Sequence, residues 1–318
     1  MRAMMRAYFL QSAGDKMKLE LREVPTPQPG PQQLLVKVHA AGLNRGELIP
    51  GHGLIAAGSA KPAGQEAAGE VVGSGERVMG RCPGGLAEYG LMEKSDAVPV
   101  PPNLSWEEAG GLPLTFMVVH DMLVAQGDLK AGEWLLVTAV SSGVGVAALQ
   151  AAKAIGAKVI GTSGSAEKLE RLKPLGLDVG IHTRKPDFHD AVMRATGKRG
   201  VDLVVNNVGG SIFAECIRSL AFQGRLATVG YLDRTMKAEL DIEALHSKRL
   251  KLFGVSNKHR NAEQRAVTVR GFTTDFLPYF ASGRIKPLID RVFRFDQVAE
   301  AKAFVESDAQ LGKVVIRM

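Results

Sequence analysis

The stretch WLLVTAVSSGVGVAALQAAKAIGAKVIGT (134–162) decides the fold of this chain. It begins with an apolar run and passes through the small-residue turn AVSSGVG (139–145) into a helical pattern. The apolar residues Val146, Leu149 and Ile155 of that pattern fall on one helix face. A second apolar run follows. A strand, a tight turn, a helix and another strand in this order predict a parallel βαβ unit.

Further apolar runs alternate with helical patterns after this stretch. They are VDLVVNNVGG (201–210), GRLATVG (224–230) and LKLFGVS (250–256), and each ends in turn residues. Buried strands of a parallel sheet have this nearly continuous apolar composition. We therefore predict that residues 116–256 form a Rossmann-type α/β domain with a doubly wound parallel sheet.

The segments on either side have a different composition. Residues 1–115 are rich in Gly and Pro and contain short β-like runs, whereas residues 257–318 contain helical patterns and a terminal strand at 313–317. We predict that 1–115 forms a β-rich domain and that 257–318 returns the chain to it. A chain of 318 residues is long enough for two such domains.

Composition excludes several function classes. The net charge of +7 is scattered along the chain without a basic block, and aromatic residues make up 6%, which argues against a nucleic-acid partner. Two cysteines are too few for a disulfide framework and indicate a reducing compartment, so the predicted location is the cytoplasm. No apolar run approaches the roughly 20 residues of a membrane helix, so no membrane partner is predicted.

The glycine turn predicts a dinucleotide site. Small residues let the backbone approach a pyrophosphate, and the helix N-terminus adds unpaired N–H groups and a positive dipole. An ordinary β-α turn that needs only small residues is the alternative.

The end of the second strand favours NADPH over NADH. An NAD site usually has an acidic residue there, which binds the ribose 2′-hydroxyl. The segment GTSGSAEKLERL (161–172) has no acid at the strand end, and it offers Ser163, Ser165, Lys168 and Arg171 as partners for a phosphate. The alternative is that Lys168 and Arg171 form only a solvated helix face.

The sequence resembles the medium-chain dehydrogenase/reductase superfamily, and within it the zinc-independent quinone oxidoreductases. The resemblance covers nearly the whole chain and rests jointly on AGLN (41–44), GQEAAGEVV (64–72), GERVMG (75–80), GGLAEY (84–89), ALQAAKAIGAKVIGT (148–162), GVDLVVNNVGG (200–210), GRLATVG (224–230), SGRIKPLID (282–290) and GKVVI (312–316). It implies a GroES-like catalytic domain built from both ends of the chain, a Rossmann domain in the middle, a cleft between them, and a homodimer.

The resemblance also implies the residues of an NADPH site. Residue by residue, it implies Asn44, Val229 and Gly230 beside the nicotinamide; Ser142, Gly143, Val144 and Gly145 at the pyrophosphate; Thr162, Ser163 and Lys168 around the 2′-phosphate; Asn207 and Gly209 by the ribose or the nicotinamide-side backbone; and Ser256 near the nicotinamide end.

The same comparison predicts that no zinc is bound. Zinc-dependent relatives carry a Cys near position 43 and a His before Glu66, whereas this chain has Leu43, Asn44 and Gln65 there. Zinc needs thiolate, imidazole or carboxylate ligands in a tetrahedral array, and these side chains do not supply one.

Two hydrogen-bond donors are candidate catalytic residues, Asn44 and Thr115. Many relatives have Tyr where this chain has Ile49 and Thr where it has Val118, so the roles of those side chains do not transfer. Thr115 lies one helical turn before Val118 and offers a hydroxyl, although a helical Thr bonding its own backbone is an equal alternative. His52 is a candidate proton relay, against the alternative of a surface histidine.

The predicted function is NADPH-dependent hydride transfer, without a metal, to a small electrophile such as a quinone or an α,β-unsaturated carbonyl. The cofactor supplies the chemistry, and the protein orients the reactants and excludes water. An enoyl-thioester reductase and a non-catalytic NADPH-binding protein remain as alternatives. An alcohol dehydrogenase is disfavoured because an unactivated alcohol normally requires a Lewis acid.

Overall fold

The computed structural model describes residues 3–13, 16–48 and 59–318. The chain divides into unit 1, Met1–Met117 with Arg260–Met318, and unit 2, Val118–His259. Among the described residues, no helix combines the length and the apolar character that crossing a membrane requires.

The N-terminal part of unit 1 consists mainly of antiparallel strands. They are β1 (Met4–Ala13), β2 (Lys16–Pro25), β3 (Gln33–Leu43), β4 (Ala60–Pro62), β5 (Glu66–Val71), β6 (Arg77–Arg81), β7 (Tyr89–Glu93) and β8 (Ala97–Pro99). Two helices follow, α1 (Trp106–Gly110) and α2 (Pro113–His120). The first two strands form a long hairpin in a three-stranded sheet of order β2-β1-β4.

The helical segment 106–125 is divided into three parts in the structure. Ser105 and Glu108 form a capping box that begins α1, which ends at Gly110. Pro113 then begins α2, because proline is favoured in the first turn of a helix and disfavoured inside one. A π-helical turn, Asp121–Ala125, completes the segment.

Unit 2 is a doubly wound parallel sheet, as predicted. Its elements are β9 (Trp134–Val137), α3 (Gly143–Ile155), β10 (Lys158–Ser163), α4 (Ala166–Leu172), β11 (Val179–His182), α5 (His189–Ala195), β12 (Val201–Asn206), α6 (Phe213–Ser219), β13 (Leu220–Thr228), α7 (Ile242–Ser247) and β14 (Lys251–Gly254). The strand order is β11-β10-β9-β12-β13-β14, and every pairing is parallel. This is the Rossmann order, with its crossover beside β9.

The C-terminal segment completes unit 1. It contains α8 (Ala262–Asp275), α9 (Leu277–Ala281), β15 (Ile289–Arg294), α10 (Val298–Glu306) and β16 (Lys313–Arg317). β16 pairs with β15 on one side and with β3 on the other, inside a seven-stranded sheet. Side chains from both segments, among them Val36, Leu43, Val298 and Ile316, share one buried core.

Candidate functional site

The turn between β9 and α3 presents backbone N–H groups at the carboxyl edge of the unit 2 sheet. Ser142 caps α3, because its Oγ accepts a hydrogen bond from the N–H of Gly145 at 3.1 Å. A Cβ at Gly145 would lie 2.5 Å from the carbonyl oxygen of Ala139, so only glycine permits this close approach. Among the described residues, the N–H groups of Gly143 and Val144 have no acceptor. They are therefore available to a pyrophosphate.

The end of β10 is tied to the glycine turn by hydroxyl groups. Thr162 Oγ1 accepts a hydrogen bond from the N–H of Ala139 at 3.3 Å. Ser163 Oγ lies 3.2 Å from Ser141 Oγ and accepts from the N–H of Ser165 at 3.2 Å. Both predicted side chains are buried, so they shape the turn as well as lying beside it.

Arg184 is a cation at this site that the sequence analysis missed. It follows β11, which pairs with β10 so that His182 lies opposite Ser163. The guanidinium packs over Gly164, where an added Cβ would collide with it. The side chain is exposed, and no hydrogen-bond acceptor for it occurs within the described ranges. A phosphate beside the 163–165 turn would meet these donors.

Lys168 lies in the first turn of α4, the helix that follows the 163–165 turn. Ser165 caps this helix by accepting a hydrogen bond from the N–H of Lys168 at 3.3 Å. The predicted residues Thr162, Ser163 and Lys168 thus belong to one continuous strand–turn–helix segment, and Arg184 reaches it from the neighbouring strand.

The ends of β12 and β13 contain four more predicted residues. Asn207 donates from its backbone N–H and from Nδ2 to Thr138, at 3.0 and 2.9 Å, which joins β12 to β9. Gly209 donates to Asn206 Oδ1 at 3.0 Å. Val229 and Gly230 donate their N–H groups to the Asn206 carbonyl oxygen, at 3.0 and 3.4 Å. These bonds hold the two strand ends together at the carboxyl edge.

Ser256 lies just beyond β14, the last strand of the same sheet. It is exposed, and its Oγ accepts a hydrogen bond from the N–H of Lys258 at 3.2 Å. All the predicted dinucleotide-binding residues except Asn44 therefore follow strands of one parallel sheet, whose carboxyl ends share an edge.

Asn44 and Thr115 belong to unit 1, where they meet around a buried lysine. The Lys313 ammonium donates to Asn44 Oδ1 at 2.5 Å and to Thr115 Oγ1 at 3.2 Å, and it lies 2.7 Å from Glu66 Oε1. Lys313 is 7% exposed and Glu66 is fully buried. These three partners match the three protons of an ammonium group. We call Lys313, Glu66, Asn44, Thr115 and the neighbouring Glu47 the Lys313 cluster.

The orientation of the Asn44 amide is fixed by its partners. Its Oδ1 faces an ammonium, which can only donate, and its Nδ2 donates to Glu66 Oε1 at 3.0 Å and to Glu47 Oε1 at 3.2 Å. Both amide protons are directed at carboxyl groups. Asn44 therefore links the two acids and the lysine.

Thr115 uses its hydroxyl differently from a typical helical threonine. Its Oγ1 accepts from Lys313, whereas Thr196 and Thr273 donate to the carbonyl four residues earlier in their own helices. Within the described chain, no acceptor is found for the Thr115 O–H. Thr115 is 6% exposed, so the described residues leave this hydroxyl proton buried and without an acceptor.

The two carboxyl groups of the cluster are buried and held by backbone donors. Glu66 Oε2 accepts from the N–H of Leu114 at 2.8 Å, and Glu47 Oε2 accepts from the N–H of Gly64 at 3.1 Å. Burial raises the pKa of Glu47 to about 7, and the nearby Glu66 charge adds to this, while the Asn44 hydrogen bond and Lys313 oppose it. Glu47, Glu66 and Lys313 were not singled out from the sequence.

Two positions considered in the sequence analysis, Ile49 and His52, lie outside the described residues. The proton relay through His52 stays a prediction. In the described part of the chain, no three His, Cys, Asp or Glu side chains are grouped so that they could hold a metal ion.

Comparison with known proteins identifies similar chains. The zinc-binding dehydrogenase family matches residues 143–269. The human synaptic vesicle membrane protein VAT-1 homolog is 30% identical over 327 residues, covering 95% of this chain and 83% of the relative. Quinone oxidoreductase-like protein 2 from Bos taurus is 30% identical over 318 residues, covering 95% of this chain and 90% of the relative.

Solved structures are similar over the whole length. The mycobacterial protein Rv1454c complexed with NADPH has a TM-score of 0.88 and 25% identity, covering 99% of this chain and 100% of that one. The CurK enoyl reductase has a TM-score of 0.84 and 25% identity, covering 98% and 99%.

Proposed function

Because this chain belongs to the medium-chain dehydrogenase/reductase superfamily, among its quinone oxidoreductase-like members, we propose that it is an NADPH-dependent reductase of quinones or α,β-unsaturated carbonyls. The observation that carries the choice of cofactor is the Arg184 guanidinium over Gly164, at a strand end that has no acidic residue. Such a site suits a phosphate and lacks the carboxylate that usually binds a ribose 2′-hydroxyl.

The residues present fit NADPH, which supplies a hydride when bound. We assign the pyrophosphate to the free N–H groups of Gly143 and Val144, within the turn Ser142–Gly145. We assign the 2′-phosphate to Thr162, Ser163, Lys168 and Arg184. We assign the nicotinamide half to Asn207, Gly209, Val229, Gly230 and Ser256 of unit 2, and the prediction for Asn44 rests on the family resemblance alone.

We assign the acceptor to the Lys313 cluster, with Asn44 and Thr115 as the groups nearest the reaction. An acceptor that gains a hydride develops negative charge on its oxygen. One good hydrogen-bond donor contributes only about 3–4 kcal/mol to such a transition state. Donors of this kind suit quinones and enones, whose product anions are already delocalised, better than simple ketones.

The first prediction concerns the range of acceptors. With NADPH, small para- and ortho-quinones and enones should be reduced at measurable rates, whereas aliphatic ketones should give little turnover because their product alkoxide is not delocalised. Steady-state NADPH oxidation across such a panel is the measurement. A preference for aliphatic ketones would contradict the proposal, and absence of turnover with every acceptor would favour a non-catalytic NADPH-binding protein.

An enoyl-thioester reductase is the second candidate, favoured by the similarity to the CurK enoyl reductase. Its acceptor is also a conjugated carbonyl, so the same Lys313 cluster would serve. The panel therefore includes an enoyl thioester beside the free enone of the same chain length. A much higher kcat/KM for the thioester would favour this second candidate.

A second prediction is that the purified protein contains no stoichiometric zinc. The ammonium of Lys313 already supplies a cation to Glu66 and Asn44, and a second cation there would be repelled. The zinc-binding dehydrogenase match covers residues 143–269 only, whereas Asn44 and Gln65 lie outside that range. Elemental analysis tests this, and one tightly bound zinc per chain, with activity lost on chelation, would refute it.

We also propose a cytoplasmic homodimer as the working form. The cysteines Cys82 and Cys216 are free and buried, as suits a protein that uses no disulfides. Burial raises the pKa of the Cys82 thiol to about 12, which makes it unreactive. The dimer rests on the family resemblance, and light scattering in solution tests it.

A further inference from the structure

The buried ammonium of Lys313 is the feature of unit 1 that the proposed function does not yet use. A lysine that is 7% exposed is costly unless every proton is bonded and the charge is paired. Here Glu66 pairs the charge, and Asn44 and Thr115 accept the other two protons. Both accepting side chains are ones that the proposed function assigns to the acceptor.

The two accepting side chains differ in what they can still donate. Asn44 directs both amide protons at carboxyl groups, at 3.0 Å to Glu66 and 3.2 Å to Glu47. Thr115 accepts from Lys313 and retains its own O–H, for which the described residues provide no acceptor. A hydroxyl that accepts from a cation is a stronger donor, because hydrogen bonds in a chain polarise one another.

Resting on the proposed function, we propose that Thr115 is the catalytic hydrogen-bond donor to the acceptor's oxygen, and that Lys313 is the positioning residue that orients this hydroxyl and supplies the positive charge behind it. Asn44 then acts by holding the ammonium in place beside Glu66. The proposal concerns charge stabilisation only and involves no covalent step. In a buried, weakly screened setting, such a preorganised donor and charge act on the developing anion at little reorganisation cost.

The variants are chosen to separate this role from support of the fold. Thr115→Val removes the hydroxyl at nearly constant shape, and Thr115→Ser retains it. Lys313→Met alone would leave the buried Glu66 carboxylate without its counter-charge, so the double variant Lys313→Met/Glu66→Gln removes both charges together. Lys302→Met is the matched control, since it breaks an ion pair within α10, 2.7 Å to Glu306.

Two measurements are made on each full-length variant. The first is kcat and KM for NADPH and for a quinone. The second is binding of 4-nitrophenol, whose yellow phenolate imitates a delocalised product anion and whose absorbance reports its ionisation without turnover. Thr115→Val and the double variant should lose about a hundredfold in kcat, as for removal of one oxyanion donor, with KM for NADPH nearly unchanged. They should also lose the preference for bound phenolate over phenol.

Lys302→Met should behave like the wild-type protein in both measurements, whereas Thr115→Ser, which keeps the hydroxyl, should retain much more of kcat and of the phenolate preference than Thr115→Val. Phenolate binding that survives in Thr115→Val, or that survives in the double variant, would overturn the proposal, and so would an unchanged kcat in either. If the wild-type protein reduces no acceptor, the proposed function fails, and phenolate binding alone decides this inference. If the wild-type protein binds 4-nitrophenolate no more tightly than Thr115→Val does, the proposed role of Thr115 is wrong, whether or not the protein reduces an acceptor.

Discussion

Alanine in place of Arg184 is expected to weaken NADPH binding by roughly ten- to a hundredfold, since a charge-assisted hydrogen bond to a phosphate contributes about 1.5–3 kcal/mol. NADH binding should stay nearly unchanged, because the guanidinium lies over Gly164, beside the proposed 2′-phosphate site, where NADH has only a hydroxyl. Fluorescence titration of the purified protein with each reduced cofactor measures both dissociation constants.

Lys168→Ala should likewise weaken NADPH binding and leave NADH binding nearly unchanged. Lys173→Ala is the control for the Arg184 and Lys168 variants. Lys173 follows the same helix but pairs with Glu170 at its exposed surface, 2.7 Å away, so its removal should affect neither cofactor. Equal weakening of NADPH and NADH in the Arg184 variant would mean that this side chain supports the fold instead. Tighter binding of NADH than of NADPH by the wild-type protein would refute the proposed cofactor.

Glu47→Gln is expected to remove a pH-dependent loss of stability from unit 1. The pKa of Glu47 is raised from 4.5 to about 7 in the folded protein. Between these values the folded state holds a proton that the unfolded chain has released, so stability is fully present below pH 4.5 and falls as the pH rises to about 7. The corresponding loss is about 3 kcal/mol, and it should be absent when an uncharged amide replaces the acid.

Urea unfolding of the parent protein and of Glu47→Gln, between about pH 5 and about pH 8, measures how the free energy of unfolding of each depends on pH. The chain has two tryptophans, so Trp106 reports on unit 1 alone in a Trp134→Phe background. Glu88→Gln is the control, because its hydrogen bonds from Arg6 lower its pKa, so it titrates below this range. If Glu47→Gln and the parent protein share the same pH dependence, Glu47 is not the titrating group.

The fold of unit 2 could be predicted because its strands are buried on both faces and read as apolar runs. The N-terminal hairpin was missed, although KMKLELREV (16–24) alternates in the way an amphipathic strand does. Met17 is buried and Leu21 is 47% exposed, so the alternation corresponds only partly to burial. Most of β2 is exposed, which weakens the hydrophobic signal of an outer strand.

The candidate site was predictable where its residues follow one another in the chain, as in the glycine turn and the segment 161–168. Arg184, Glu66 and Lys313 were missed because strand pairing, not sequence proximity, brings them to their sites. A signal for two of them did exist. Glu66 and Lys313 are charged residues at the ends of runs that are otherwise small or apolar, EAAG and KVVI, and buried charges in such strands require a partner.

The position of β16 inside its sheet, between β15 and β3, has a consequence for biosynthesis. The ribosome completes all of unit 2 before it makes β16, so unit 2 can fold while the chain is still growing. The partner strand β3 is made early, and its residues Ala40–Leu43 stay unpaired on this side until β16 is made. During that interval the Glu66 carboxylate lacks its ammonium. The N-terminal part of a nascent chain is therefore an incomplete domain until the last strand is made, and a truncation before Lys313 removes the strand that completes it.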